Sequence, residues 1–246
     1  MRHIAACDII ISLTHILPGA ISLIADSWVL GDALCYAKPY FACFFYTADM
    51  SLICALTTSK FLLLQKPLRA RSLSRKKAHQ VCALLWATWL VYPILFSILG
   101  NDDVGFDYTT YNCEYGWSAP AWRKIQPVTF LMSAFVPNAV VITTTIPTLK
   151  YLVAARKSAR RTRGTVPWQG ALTVALTASV YCISTLPLTV YLIAATFVEK
   201  DPAVADPFHF SLQRYGMFLG MINVTSNFFI YTLTITSFRR YPISTR

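Results

Sequence analysis

Polar side chains capable of holding a cation or a proton stand inside otherwise apolar stretches of this chain. Asp8 is the only acid in 4–25 and Asp49 the only acid in 39–59. Asn223 and Asn227 lie in 215–238, which contains no Asp, Glu, Lys or Arg. An ionisable group in such surroundings is costly to keep and is a functional candidate by default. Asn223, Asn227 and Tyr231 recur every four residues, so they share one helix face. Their plainer use is as glue between helices, since polar side chains in apolar helices turn toward partners. Asn223-Val224-Thr225 also matches the glycan acceptor pattern. Inside an apolar stretch of this length it is expected to be buried and unmodified. The chain lacks a CxxC pair, an HExxH, a Cys/His cluster and a Gly-rich phosphate loop. With no nucleophile–base set either, no catalysis and no structural metal are expected.

The elements that must position these groups follow from composition. Of 246 residues, 55% are hydrophobic and only 13% charged, with a mean hydropathy of +0.49. Soluble domains carry about 25% charged residues, so lipid is the better solvent for this surface. The net charge of +11 does not indicate nucleic acid, because long apolar stretches separate the charges. Four stretches, 78–101, 125–149, 164–198 and 215–238, contain no charged residue. Crossing the hydrocarbon core takes about 20 apolar residues as a helix. The expected architecture is an all-α polytopic transmembrane bundle, a single domain over 1–246. Its spans fall at about 4–25, 34–60, 78–100, 123–153, 168–198 and 210–236, with a short amphipathic tail at 237–246. The first span carries Asp8 and no clear small-residue cleavage site, so it is not read as a signal peptide.

Charge places the two sides. Arg2, the connections 60–77 and 150–163, and the tail 239–246 hold 17 basic residues and no acid. The other connections hold nine acids: Asp26, Asp32, Asp102, Asp103, Asp107, Glu114, Glu199, Asp201 and Asp206. The basic side is cytoplasmic by the positive-inside rule, which puts the C-terminus inside a multi-pass plasma membrane protein. The basic rim suits anionic lipid headgroups. Cys7, Cys43, Cys54, Cys82 and Cys182 fall within spans as small apolar packing residues. Cys35 and Cys113 lie on the outer side, where oxidation favours a disulfide. That bond would pin the loop 100–122 across the mouth of the bundle.

Several stretches, in order, resemble the rhodopsin-like (class A) G protein-coupled receptor family. "WVLGDALC" (28–35) resembles its first extracellular loop running into the helix-top cysteine, and Cys113 matches the second-loop cysteine. Asp8 resembles the aspartate of the family's second helix and Trp86 the tryptophan of its fourth. Pro137 and Pro187 stand as its fifth- and sixth-helix kink prolines. "NFFIY" followed by "SFRR" resembles Asn-Pro-x-x-Tyr and the short helix after it. The resemblance implies seven spans, and this sequence begins at what looks like the second. The first then lies outside the sequence, or the chain is a truncated product.

The departures concern switches. Asp/Glu-Arg-Tyr at the cytoplasmic end of the third helix is Ser59-Lys60-Phe61 here. Lysine keeps a cation but loses the forked guanidinium. Thr185 replaces the sixth-helix tryptophan, and Phe228 replaces the proline before Tyr231. The resemblance further implies that Asp8 meets Asp49, Asn223 and Asn227 at a sodium pocket, here with two carboxylates. Two such groups share a proton or hold a cation between them, so a sodium or proton site is expected, and no organic cofactor.

Above that site Ala42 and Tyr46 share a face with Asp49. Ala42 stands where amine receptors of the family place an aspartate, so an amine ligand is not expected. Lys38 sits one turn higher, to meet an anionic group or to snorkel to the surface. Tyr181, Thr185, Thr189, Gln213 and Met217 line the opposite wall of the expected ligand cavity. The acids around the mouth suit a cationic peptide. The implied function is a receptor transducing an extracellular ligand to heterotrimeric G proteins. The alternatives are a receptor-like binding protein that does not couple, a truncated fragment, and a six-span transporter.

Overall fold

A computed structural model of the chain describes residues 2–65, 75–99, 104–108, 111–115, 132, 135–162, 168–197 and 207–234. The first rod comprises α1 (Arg2–Ile11), a single wider turn at Ser12–Ile16, and α2 (Leu17–Ala25). Pro18 explains the wide turn. It cannot donate to the carbonyl of Thr14, and its ring crowds that group. The backbone widens instead, with the Leu17 N–H reaching Ser12 O. Nearby hydroxyls bond back along the rod: Ser12 Oγ donates to Asp8 O and Thr14 Oγ1 to Ile10 O, both at 2.7 Å. Asp26 ends the rod in a left-handed conformation, φ 53°, which short polar side chains tolerate.

The turn that follows gives the Trp-x-x-Gly stretch a physical purpose. Trp28 Nε1 donates to Gly31 O at 2.8 Å, and Gly31 itself sits at φ +84°, where a Cβ would be strained. Gly31 O also accepts from the Cys35 N–H. The ring thus fixes the entry to α3 (Asp32–Gln65), the central helix. Around it are α4 (Arg75–Leu99), α5 (Val136–Thr162), α6 (Trp168–Phe197) and α7 (Pro207–Thr234). α3 touches α1, α4, α5 and α6; α7 lies against α6 and α1.

Helices occupy every expected span that is described, with ends displaced. α3 runs on to Gln65, placing Lys60 inside a helix rather than at its end. α5 continues to Thr162; residues 123–131 and 133–134 of the expected span lie outside the described residues, as does the expected tail at 237–246. Prolines also stand inside helices at Pro39, Pro93 and Pro147, besides Pro187. Pro137 occupies the first described turn of α5, where a missing N–H costs least.

Burial is arranged for lipid. Ile9, Leu13, Ile24, Leu84, Ile98, Ile183, Phe228 and Phe229 point outward. Inside, a core of Ile4, Cys7, Ile11, Ala48, Leu52, Ile53, Val141, Ala178, Tyr181 and Val224 is interleaved with buried Asp, Asn, Ser and Thr. Phe44 and Phe45 set their rings edge-on to Trp86, while Trp89 Nε1 donates to Ser51 Oγ at 2.6 Å, tying α4 to α3.

Among the described residues of the loop 100–122, β1 (Val104–Asp107) and β2 (Asn112–Tyr115) form a hairpin, paired antiparallel with Phe106 opposite Cys113. Cys113 is bonded to Cys35 at the start of α3. The hairpin also presses on α2. The Asn112 side chain would come within 2.7 Å of a Cβ placed on Gly19, so any larger residue there would displace the Asn112 amide.

Candidate functional site

Beneath the hairpin a column of buried polar groups runs down the bundle. At its top, Glu114 on β2 and Lys38 on α3 attract each other. Lys38 is only 1% exposed, so its ammonium does not snorkel to the surface. Neither Lys38 Nζ nor Glu114 Oε1 has a hydrogen-bond partner among the described residues. Burial lifts the Glu114 carboxyl from 4.5 to about 7; Lys38 opposes the rise and Asp107 on β1 adds to it.

One layer down, His15 in the wide turn is buried and feels the charge of Lys38. Its ring stands at 90° to Tyr46, with centroids 5.4 Å apart. Tyr46 lies within electrostatic range of Glu114 above and of Asp49 and Asp8 below. Ala42, one turn above Tyr46 on α3, is half-buried.

The floor joins three helices. Asn227 Nδ2 on α7 donates to both oxygens of Asp8 on α1, at 3.2 and 3.4 Å. Asp49 on α3 is 2% exposed and lies within electrostatic range of Asp8. Asn223 is buried one turn before Asn227, which keeps its glycan acceptor pattern away from water. Asp49 Oδ1, Asn223 Oδ1 and Asn227 Oδ1 are all buried without a hydrogen-bond partner. This is a set of hard oxygen acceptors short of donors, which suits sodium or a proton and not a softer metal. Among the described residues no group of three or more His, Cys, Asp and Glu is placed to hold a metal.

A second polar tie crosses from α5 to α6. Asn138, next to Pro137, donates through Nδ2 to Thr189 Oγ1 at 3.1 Å and accepts from Thr185 Oγ1 at 2.9 Å. Thr185 therefore acts as a polar strut between helices. Tyr181, also expected in the cavity wall, is fully buried. The side chains of Gln213, Met217 and Tyr231 lie outside the described residues. At the opposite end, Ser59 Oγ turns back to Leu56 O at 2.8 Å. It therefore offers no acid to restrain Lys60, which with Phe61 is half-buried.

Three residues of this arrangement were not expected as site groups. Glu114 adjoins a disulfide cysteine and was counted only as a loop acid. His15 lies seven residues after Asp8 on the same helical rod, the spacing of one face. Asn138 follows a helix proline. Each signal is local and weak, and only tertiary placement gives it meaning.

Comparison with known proteins agrees with this geometry. Residues 1–231 match the family model described as 7 transmembrane receptor (rhodopsin family). Human galanin receptor type 2 is 24% identical over 222 residues, covering 87% of this chain and 55% of that protein. The mouse (Mus musculus) galanin receptor type 2 is 23% identical, with 87% and 57% covered. A human probable G-protein coupled receptor 19 is 24% identical over 168 residues, 66% of this chain and 39% of that protein. The chain thus spans about half the length of the galanin receptors it matches. A polar-cored helical bundle, a hairpin bonded to the top of its central helix and a family match over nearly all of its length lead to one assignment: this chain belongs to the rhodopsin family of seven-transmembrane receptors, a family of multi-pass membrane receptors and not of enzymes.

Proposed function

We propose that this chain receives an extracellular ligand at the end closed by the β1–β2 hairpin and passes the signal to G proteins at the other. The observation that carries the reading is the column Glu114, Lys38, His15, Tyr46, Asp49, Asp8 and Asn227. It starts directly under the disulfide-anchored hairpin and ends where α1, α3 and α7 meet. A ligand group that engages Lys38 or Glu114 changes the charge felt by His15 and Tyr46, and Tyr46 in turn lies within electrostatic range of Asp49 and Asp8. Such a ligand shifts a two-state bundle only through a difference in its affinity for the two states.

The ligand class proposed is a peptide rather than an amine. Ala42 offers no counter-ion for an amine, and the connections read as outer carry nine acids in the sequence. The galanin receptors among the relatives make galanin the first probe to apply. On this reading the opposite end, and the C-terminus, lie in the cytoplasm at the plasma membrane, supported by the basic residues within 60–77 and 150–163. Asp8, Asp49, Asn223 and Asn227 are proposed to hold sodium or a shared proton, and no other cofactor is invoked.

The test is ligand-dependent nucleotide exchange on purified heterotrimeric G proteins. Galanin and a panel of cationic peptides are applied to the chain reconstituted in lipid discs. A second reading, binding without coupling, is favoured by Ser59 bonding back to its own helix and by lysine at position 60. Lys60→Arg separates the two. Exchange that appears or rises severalfold in the variant means that coupling was limited there. Ligand binding with no exchange in either protein selects the non-coupling reading.

A further inference from the structure

Away from the polar column, His3 on α1 and His79 on α4 bring two ring nitrogens together. His3 Nε2 and His79 Nδ1 are 3.3 Å apart, with ring centroids 5.5 Å apart and the planes at 68°. The pair is open to solvent. α1 and α4 each pack on α3, and this pair links the two outer helices directly.

That spacing meets a metal's requirement. Zinc binds imidazole nitrogen at about 2.0–2.1 Å in tetrahedral geometry, so two of its nitrogen ligands stand roughly 3.3–3.4 Å from each other. An ion placed at bonding distance from both nitrogens would subtend about 107° between them, close to the tetrahedral angle. Neutral imidazole is a borderline ligand that selects zinc, copper or nickel over magnesium or calcium. His79 is exposed, so its ring can turn its lone pair toward a shared ion while the two remaining positions take water. Arg2, Lys76 and Lys77 on the same helix ends repel a dication and keep the affinity moderate. We propose that His3 and His79 form a bridging site for a divalent transition metal, zinc foremost, that clamps the end of α1 to the end of α4.

The proposal is independent of the ligand and coupling readings, and its test uses neither. The full chain in detergent is stripped with a chelator, and its thermal unfolding is followed as zinc chloride is added. Magnesium chloride serves as the hard-cation control. Zinc should raise the unfolding temperature and magnesium should not, with the chelator reversing the shift. His79→Gln and His3→Gln, which keep hydrogen-bonding side chains but remove a metal-binding imidazole, should each abolish the shift. Cobalt(II) in place of zinc should give visible absorption bands that His79→Gln removes. An absent zinc shift in the parent chain overturns the proposal. So does a shift of equal size in either variant, which would locate the zinc elsewhere.

Discussion

Replacing Glu114 by glutamine should change how stability depends on pH, and the direction follows from its surroundings. The folded carboxyl holds its proton up to about 7, against an ordinary value of 4.5. Between those values the folded chain binds more protons than the unfolded one. Stability therefore falls as pH rises from about 4.5 to about 7 and is level above that. The gap corresponds to at most roughly 3–4 kcal/mol, at about 1.4 kcal/mol for each tenfold change in proton affinity. Water reaching the half-buried side chain trims this to about 1–2 kcal/mol. Thermal unfolding in detergent, measured across this pH window for the parent and for Glu114→Gln, gives the difference curve. The parent should lose stability relative to the variant as pH rises through the window. Lys38→Met removes the attraction that holds the carboxyl pKa down, so its loss should continue to higher pH. Parallel curves for the parent and Glu114→Gln would refute the burial argument. An unmoved window in Lys38→Met would refute the pairing with Lys38.

Other perturbations have directions set by the same contacts. Asn227→Leu strips Asp8 of both hydrogen bonds and should cost about 1–3 kcal/mol of thermal stability, with a second change, Asp8→Leu, recovering part of the loss. Cys113→Ser frees a hairpin closed across 78 residues. The chain-entropy argument gives an upper cost of about 4–5 kcal/mol, and the folded receptor recovered at the cell surface should fall accordingly. Asn138→Ala removes the ties to Thr185 and Thr189 and should destabilise by about 1–3 kcal/mol in the same thermal assay. Thr185→Val should cost less, because Thr189 still bonds Asn138.

How much of this was legible beforehand differs by level. The helices could be read because lipid favours long charge-free stretches such as 78–101 and 215–238. The floor of the column could be read in part, since Asn223 and Asn227 recur at the helical period and Asp8 and Asp49 stand out in apolar surroundings. The wide turn at Ser12–Ile16 could not, although Pro18 is its cause. A helix proline can bend, widen or end a helix, and neighbouring helices decide which. Lys38 shows the limit more sharply. Its sequence position allows a snorkelling side chain, and only the hairpin folded above it makes burial the outcome. The four-residue strands that form that hairpin carry too short a pattern to be distinguished from loop.

The column's floor contains a shortage of donors that determines what Asp49→Asn should do. Asn227 spends its amide on Asp8, while Asp49 Oδ1, Asn223 Oδ1 and Asn227 Oδ1 remain buried and unbonded. The Tyr181 hydroxyl, buried within electrostatic range of Asp49, offers a single proton. A proton shared by the two carboxylates adds one donor, which still leaves acceptors over. A sodium ion serves several oxygens at once and balances charge that the apolar wall cannot. An asparagine at position 49 removes a charge and brings two N–H donors into the same space. The variant should therefore be more stable than the parent without sodium and should ignore sodium when it is added. The parent should gain stability with sodium and show less or none with the larger choline cation. Thermal unfolding in sodium and choline chloride at equal ionic strength separates these outcomes. A sodium gain that survives Asp49→Asn removes Asp49 from the site. A variant less stable than the parent in choline means that the floor was never short of donors.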